Sequence, residues 1–384
     1  MKTMTLKVSL GALLLACTLG SVSAQTTVPD PDELDISQFL NVPSEDASKL
    51  IGAYMSPLMR GFGFASNGGW YNTAKTHKTL GFDLGITLSA VKAPEEDWYY
   101  TIDSDDYESF NVRSGNRGAT IFGSPDQSYE LETDYVIEGA SYTLPDGTVI
   151  SSGDITVRQP FSAPPGVDYE SIGAGQARGY AVLPMLQGGI GLIKNTDLKI
   201  RWMPTRDYFD IGLETGMFGL GVMHDVKQWI PGIKHVPIDI SVLLGYNRIY
   251  NTLDLSQYTT DISYVSTENG EGEFNINSFT YQLLVSKKIS ILTLYGGFGL
   301  STASIDLKVL GDYELRASIV DDSGTSYDNV VIELDSDPVN ESFTANAWSG
   351  KLGARLNLAV LTLHADYTFQ NYGMLTFGLG FSIR

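Results

Sequence analysis

Stretches of ten or more residues in this chain alternate strictly between large apolar and small or polar side chains. In KTLGFDLGITLSAV, Phe82, Leu84, Ile86, Leu88 and Ala90 share one face, and Asp83, Gly85, Thr87 and Ser89 share the other. Period two means β-strand. The pattern recurs over Val182–Leu192, Leu198–Trp202, Phe218–Val222, Val236–Tyr246, Phe279–Val285, Leu292–Leu300, Trp348–Leu358 and Leu361–Phe369. It ends in MLTFGLGFSIR, which runs to Arg384. A globular strand averages five or six residues. These are long enough to cross a bilayer at a tilt. A sandwich needs only short strands and hides its apolar face against a second sheet. A membrane barrel turns that face to lipid. The fold expected is therefore all-β: a transmembrane antiparallel up-and-down barrel of about ten strands, with a range of 10–14.

Aromatic positions sharpen this. Trp202, Tyr246, Phe279, Tyr281, Trp348, Tyr367 and Phe369 fall near one end of their strands, and Phe82 and Phe381 near the other. Two aromatic rims around an aliphatic middle suit the two bilayer interfaces. Strand parity is also consistent. With the C-terminus in the periplasm, the inner turns fall at 357–360, 286–288, 224–235 and 194–196. The outer connections fall at 370–373, 306–345, 251–275, 204–207 and 94–178. Ten strands then place both termini in the periplasm, with the long loops outside. The stretch 94–178 is too long for a plain loop; it holds either two further strands or a folded cap that includes GATIFG and GTVISSGDITVRQ. The last strand is expected to pair back to the strand near Leu80, leaving no open edge. Phe381 and Ile383 are expected to carry the assembly signal.

Residues 1–24 read as a secretory signal peptide: two lysines, an apolar core and a small-residue site at Val22-Ser23-Ala24. The alternative is lipoprotein processing at Cys17. Cys17 is the only cysteine, so cleavage after Ala24 leaves a chain without thiols. The mature chain then has 23 basic and 45 acidic residues, which disfavours nucleic acid as a partner. No later segment is apolar enough for a membrane-spanning helix. The acid is unevenly placed. Residues 94–178 carry 16 acidic and 4 basic side chains, 251–277 carry 5 and none, and 306–345 carry 10 and 2. The expected layout is a helical plug or cap over 25–79 and a barrel over 80–384. The acidic outer loops either repel aggregation or bind divalent cations, with Asp103, Asp105, Asp106 and Glu108 as the candidate oxygen ligands.

In SEDASKLIGAYMSPLMRGFG, Leu50, Ile51, Tyr54, Met55, Leu58, Met59 and Phe62 recur at helical spacing. Ser44 can cap the start, and Pro57 is expected to kink or shorten the helix. This helix is expected to enter from the periplasmic side and insert into the lumen, with a periplasmic cap as the alternative. The following NGGWYNTAKTHK suits a lumen wall. The strands' polar faces hold Lys199, Arg201, Lys351, Arg355, His364 and Asp366, with Asp83, Glu214 and Asp239 also inward. Tight turns would set Lys199 opposite Gly191, Arg201 opposite Gly189, Lys351 opposite Asp366 and His364 opposite Gly353. These side chains are either a self-satisfied filling or a lining that contacts a solute. Catalysis has little support: His364 and Asp366 share a face, but no GxSxG occurs, and His224 and His235 lack ligand spacing. No cofactor is expected.

The segments AYMSPLMRGFGFASNGGWYNTAKTHKTLGFDLGITLSAV, GLGVMHDVKQWIPGIKHVPIDISVLLGYN and GLGFSIR are similar to an uncharacterised family of Bacteroidota outer-membrane barrels. The helix ahead of the first strand also resembles, in layout, the lumenal hatch of FadL-type hydrophobic-compound channels, which have fourteen strands. The first resemblance implies an outer-membrane location, and no functional residue carries over. The expected role is passive or gated transport of a small or hydrophobic solute by a monomer. It would sit in outer-membrane lipid and be inserted by the barrel assembly machinery. The alternative is a structural or surface-interaction barrel with a sealed lumen.

Overall fold

A computed structural model describes residues 44–107, 110–127, 129–137, 141–143, 149–151, 155–170, 175–207, 213–233, 236–255, 265–266, 269–320, 326–333 and 336–383. The signal segment, Glu108 and His235 lie outside the described residues. Ten antiparallel strands close into a barrel. They are β1 (Phe82–Lys92), β2 (Tyr180–Leu192), β3 (Thr196–Asp207), β4 (Leu213–Asp225), β5 (Asp239–Asp254), β6 (Glu271–Ile289), β7 (Leu292–Leu310), β8 (Val339–Leu358), β9 (Leu361–Phe369) and β10 (Met374–Ile383). The seam pairs β1 with β10, from Phe82 opposite Ile383 to Val91 opposite Met374. Closure leaves no edge strand to recruit another chain.

Tight turns close one end. Lys194 and Asn195 both have positive φ, as a two-residue hairpin that follows strand twist requires. The long connections gather at the other end. Residues 94–178 add no barrel strand and instead build a cap of small sheets. Strand 99–101 pairs with 117–119, strand 130–137 lies between 110–114 and 155–162, and strand 141–143 pairs with 149–151.

The strands on the 251–275 and 306–345 side run further than expected. β7 reaches Leu310 and β8 starts at Val339. Along β8, Trp348, Leu352, Leu356 and Leu358 are exposed, while Ser349, Lys351 and Arg355 are buried. Past Trp348 the pattern reverses. Asn340, Ser342, Thr344 and Asn346 are exposed, while Val339, Ala345 and Ala347 are buried. β7 inverts in the same way: Leu294 and Phe298 are exposed low on the strand, and Ala303, Ile305, Leu307 and Val309 are buried above. Phe298 stacks on Trp348 at the boundary, with centroids 5.5 Å apart. Below this level the barrel is apolar outside and polar inside; above it, polar outside and apolar inside. The polar outward residues made these strand ends resemble acidic loop in the sequence.

The apolar upper interior is filled by helix α1 (Ser44–Asn67), which contains Pro57 without ending there. Leu50, Ile51, Tyr54 and Met59 are buried in one core with Met185, Met217, Ile249, Ile276, Ile305 and Val339 from the wall and Ile121, Phe122 and Leu131 from the cap. The helix is therefore inserted in the lumen, but it does not enter from the short-turn end. Its first turns lie at the long-connection end, where Ser48 Oγ accepts from Asn340 N–H and Lys49 Nζ donates to the Asp106 carbonyl. Ser66, at its other end, reaches Ser278 in the middle of β6. The apolar face of α1 suits this polarity, because the upper lumen holds the larger apolar cluster, while the lower one has a smaller cluster filled by Trp70 and Tyr71.

Candidate functional site

Residues 68–81 continue from α1 down the lower lumen to β1, as an irregular plug segment and not as lumen wall. Trp70 is fully buried. Its indole fits where Gly221 and Gly245 carry no side chain; a Cβ on either would stand 2.7 Å from the ring. A Cβ on Gly297 would likewise collide with the Tyr71 hydroxyl, and one on Gly191 with the Lys78 backbone and His77. The glycines of the inner wall form a mould for the plug. This close approach is one use of a residue without Cβ.

Arg201 fastens the top of this segment. It is completely buried and donates to Gln187 Oε1 (2.7 Å), the Ser66 carbonyl (2.7 Å) and the Gly68 carbonyl (2.5 Å). Its guanidinium also lies 3.8 Å from the centre of the Trp70 ring. Ser66 belongs to the last turn of α1, whose carbonyls have no intrahelical partners and carry the negative end of the helix dipole. No basic residue in that last turn serves them, so the wall supplies the cap. Asn247 adds a second donor to the Ser66 carbonyl at 3.0 Å.

The other charged side chains of the lumen hold the plug lower down. Arg355 Nη1 donates to Asn72 Oδ1 at 2.6 Å, and Asn72 Nδ2 lies 3.4 Å from His364 Nδ1. Lys351 pairs with Asp366 at 3.3 Å and sits 4.9 Å from the Tyr71 ring, and Tyr295 donates to Asp366 at 2.8 Å. Ser286 Oγ accepts from Ala74 N–H at 2.9 Å, and Ser241 Oγ donates to the Ala74 carbonyl at 2.6 Å. Next to the short turns, His77 gives its backbone N–H and ring Nδ1 to the two oxygens of buried Asp197, each at 2.9 Å. Lys199 stands 3.8 Å from Asp83.

All six lumen residues singled out from sequence are thus buried, and all six meet the plug or its immediate partners, Lys199 through Asp83, which lies 3.7 Å from His77. Their registers differ by two from those expected. Lys199 faces Gly189, Arg201 faces Gln187, Gly353 faces Asp366 and Arg355 faces His364. Lys351 faces Thr368 and reaches Asp366 diagonally. A shift of two preserves the face, which is why the residues still point inward. Glu214 is a correction: it is exposed, sharing the outward parity of Phe218 and Leu220. His364 and Asp366 do not form a base and its orienter, since Asp366 is taken by Tyr295 and Lys351.

Sequence reasoning passed over Trp70, Asn72 and Asp197. The signal available was a bulky aromatic directly after paired glycines in an otherwise polar stretch. In the acidic cap, Asp103, Asp105 and Asp106 are exposed, and Asp103 Oδ1 accepts from Asp105 N–H at 3.2 Å. Among the described residues no three His, Cys, Asp or Glu side chains converge as a metal site.

No curated protein matches the chain in sequence. Solved structures with some likeness include the translocator domain of the autotransporter NalP from Neisseria meningitidis, at 12% identity over 87% of this chain and 96% of that one, TM-score 0.26. The outer membrane protease OmpT from Escherichia coli shares 7% identity over 81% of this chain and all of that one, TM-score 0.27. The attachment invasion locus protein Ail of Yersinia pestis shares 12% identity over 49% and 91%, TM-score 0.21. Likenesses this distant say nothing about activity. The sequence itself does have a family: a model matches residues 1–383, and the chain belongs to DUF6588, a family of unknown function.

Proposed function

We propose that this protein is an outer-membrane barrel whose lumen is sealed by its own residues 44–81, and that it acts at its outer face instead of conducting solute. The observation that carries the sealing is the continuous filling of the lumen. An apolar helix occupies the upper half, and a hydrogen-bonded segment moulded to wall glycines occupies the lower half. The membrane location rests on the exposed apolar belt. On β8 it spans Trp348 to Leu358, about 25 Å at a strand rise of 3.3 Å and a tilt near 40°, the height of the lipid-facing band of such barrels. The tight-turn end then lies in the periplasm, and the acidic cap faces outward. Gated transport would require expelling the segment that Arg201, Arg355 and Asp197 hold. The test is conductance of purified protein in planar bilayers, backed by liposome swelling. Wild type is expected to be silent; steady wild-type channels or sugar-permeable liposomes would overturn the sealed reading.

A further inference from the structure

The connection between β4 and β5 carries an exposed apolar tip at the tight-turn end. Trp229 is 63% exposed, and Ile230 and Val236 are exposed beside it. Hydrogen bonds hold the tip in place. Lys227 Nζ donates to the carbonyls of Val236 (2.6 Å) and Ile238 (2.7 Å), which draws the two arms of the connection together. Gln228 Nε2 donates to the Asp225 carbonyl at 2.7 Å and to the Lys194 carbonyl at 3.0 Å, which ties the tip to the turn between β2 and β3.

The tip stands on the lipid side of the wall. His224 has the outward parity of Phe218, Leu220 and Val222, all of them exposed. The Trp229 ring stacks on His224 with centroids 6.3 Å apart and donates its indole N–H to His224 Nε2 at 2.9 Å. That bond satisfies the ring's one polar group, so the indole can enter lipid without an unpaired donor. The neighbouring turns carry the belt down to the same level. Ile193, Ile291 and Val360 are exposed at three tight turns, positions where water favours Gly, Asn, Asp and Ser.

Two cations flank the tip. Lys194 lies in the turn whose carbonyl holds Gln228, and Lys287 follows Ser286, which faces Asp239 where the connection enters β5. Lys287 has the outward parity of Leu283 and Val285. Both lysines are exposed, and among the described residues neither makes an ion pair. The exposed charged side chains described at this end, Lys75, Lys78, Lys194, Lys287 and Lys288, are all basic, opposite in sign to the cap.

We propose that this connection docks an anionic phospholipid of the inner leaflet, with Trp229 and Ile230 among the acyl chains and Lys194 and Lys287 at the phosphate. A lysine stem can lie along apolar surface while its ammonium reaches the headgroups, and it meets a phosphate as a point charge. The proposal rests on the membrane placement given above and adds a partner at the end opposite the cap.

The test reconstitutes the purified protein in phosphatidylcholine vesicles with a minor fraction of phosphatidylglycerol, one lipid or the other carrying bromine on its acyl chains. Bromine quenches tryptophan on contact. Subtracting the signal of Trp229→Phe isolates Trp229, and the remaining quenching reports the exposed belt residues Trp202 and Trp348. Trp229 is expected to be quenched, and brominated phosphatidylglycerol should exceed its mole fraction by about fivefold for each lysine. Lys194→Gln combined with Lys287→Gln should remove that excess and leave belt quenching unchanged. Millimolar glycerol phosphate, which has no acyl chains, should not displace the lipid; displacement would make this a phosphate site and overturn the lipid assignment. Quenched belt tryptophans beside an unquenched Trp229 overturn the docking site alone. Equal quenching per mole by the two lipids overturns the anionic preference. Belt tryptophans that escape quenching overturn the membrane placement and the site with it. The comparison of the two brominated lipids decides even where the double lysine variant fails to insert.

Discussion

Replacing Arg201 by Met removes the charge that holds the C-terminal end of α1 while keeping most of the side chain's volume. Three charge-assisted hydrogen bonds and a cation–π contact are lost, together worth about 6–11 kcal/mol gross. The desolvation penalty of the buried guanidinium, several kcal/mol, is relieved at the same time. The carbonyls of Ser66 and Gly68 then lose their Arg201 donors inside the barrel, Ser66 keeping only Asn247. The net cost to the docked plug is about 3–5 kcal/mol, the size expected when one side of a buried charged contact is deleted. At 1.36 kcal/mol per factor of ten, the population with a released plug rises roughly 10²- to 10⁴-fold. Two assays read this: the open probability of single barrels in a planar bilayer, and hydrogen exchange of the amides in residues 66–77. Both should rise together, with unchanged heat-modifiable mobility showing an intact barrel. Arg248→Met, which removes an exposed charge above the belt, should change neither. If Arg201→Met leaves leak and exchange at wild-type levels, Arg201 does not hold the plug and the account of the seal fails.

Gly221→Val places side-chain atoms inside the Trp70 ring; overpacking of about 1–3 kcal/mol or more should raise the same leak, and Gly350→Val, where an added Cβ meets nothing, should not. The inversion of the strand pattern at Trp348 predicts a boundary: Leu352→Arg should cost about 2–4 kcal/mol in folding titrations, whereas Asn346→Arg, one position-pair above the belt, should be near neutral. If the mature chain has lost Cys17, single cysteines report sidedness. Glu45→Cys should react with a membrane-impermeant maleimide on intact cells and Lys287→Cys should not; the reverse pattern would place the acidic cap in the periplasm. Phe381→Ser should lower the amount of assembled barrel, and normal assembly would dissociate the closing strand from the insertion signal.

Period-two alternation pointed to the antiparallel barrel and to the closing pair of β1 with β10, because the face of a strand residue depends only on parity and a lipid-facing wall must keep that parity for ten residues; it left the strand count between 10 and 14, and the structure fixed it at ten by making residues 94–178 a cap. Parity also marked Lys199, Arg201, Lys351, Arg355, His364 and Asp366 as inward. Parity cannot fix register, since a slip of two leaves every residue on its face, and the expected cross-strand partners were displaced by that amount. Nor could local sequence tell that β7 and β8 continue past the membrane. Whether Ile305 and Val309 point to lipid or to a core depends on what fills the barrel. Only the tertiary structure decided that α1 is the filling, that it starts at the capped end, and that Arg201 serves a helix 135 residues earlier in the chain. The physical reason is that a buried cation and the free carbonyls of a helix end are each costly alone and settle together, and nothing within either segment records the other.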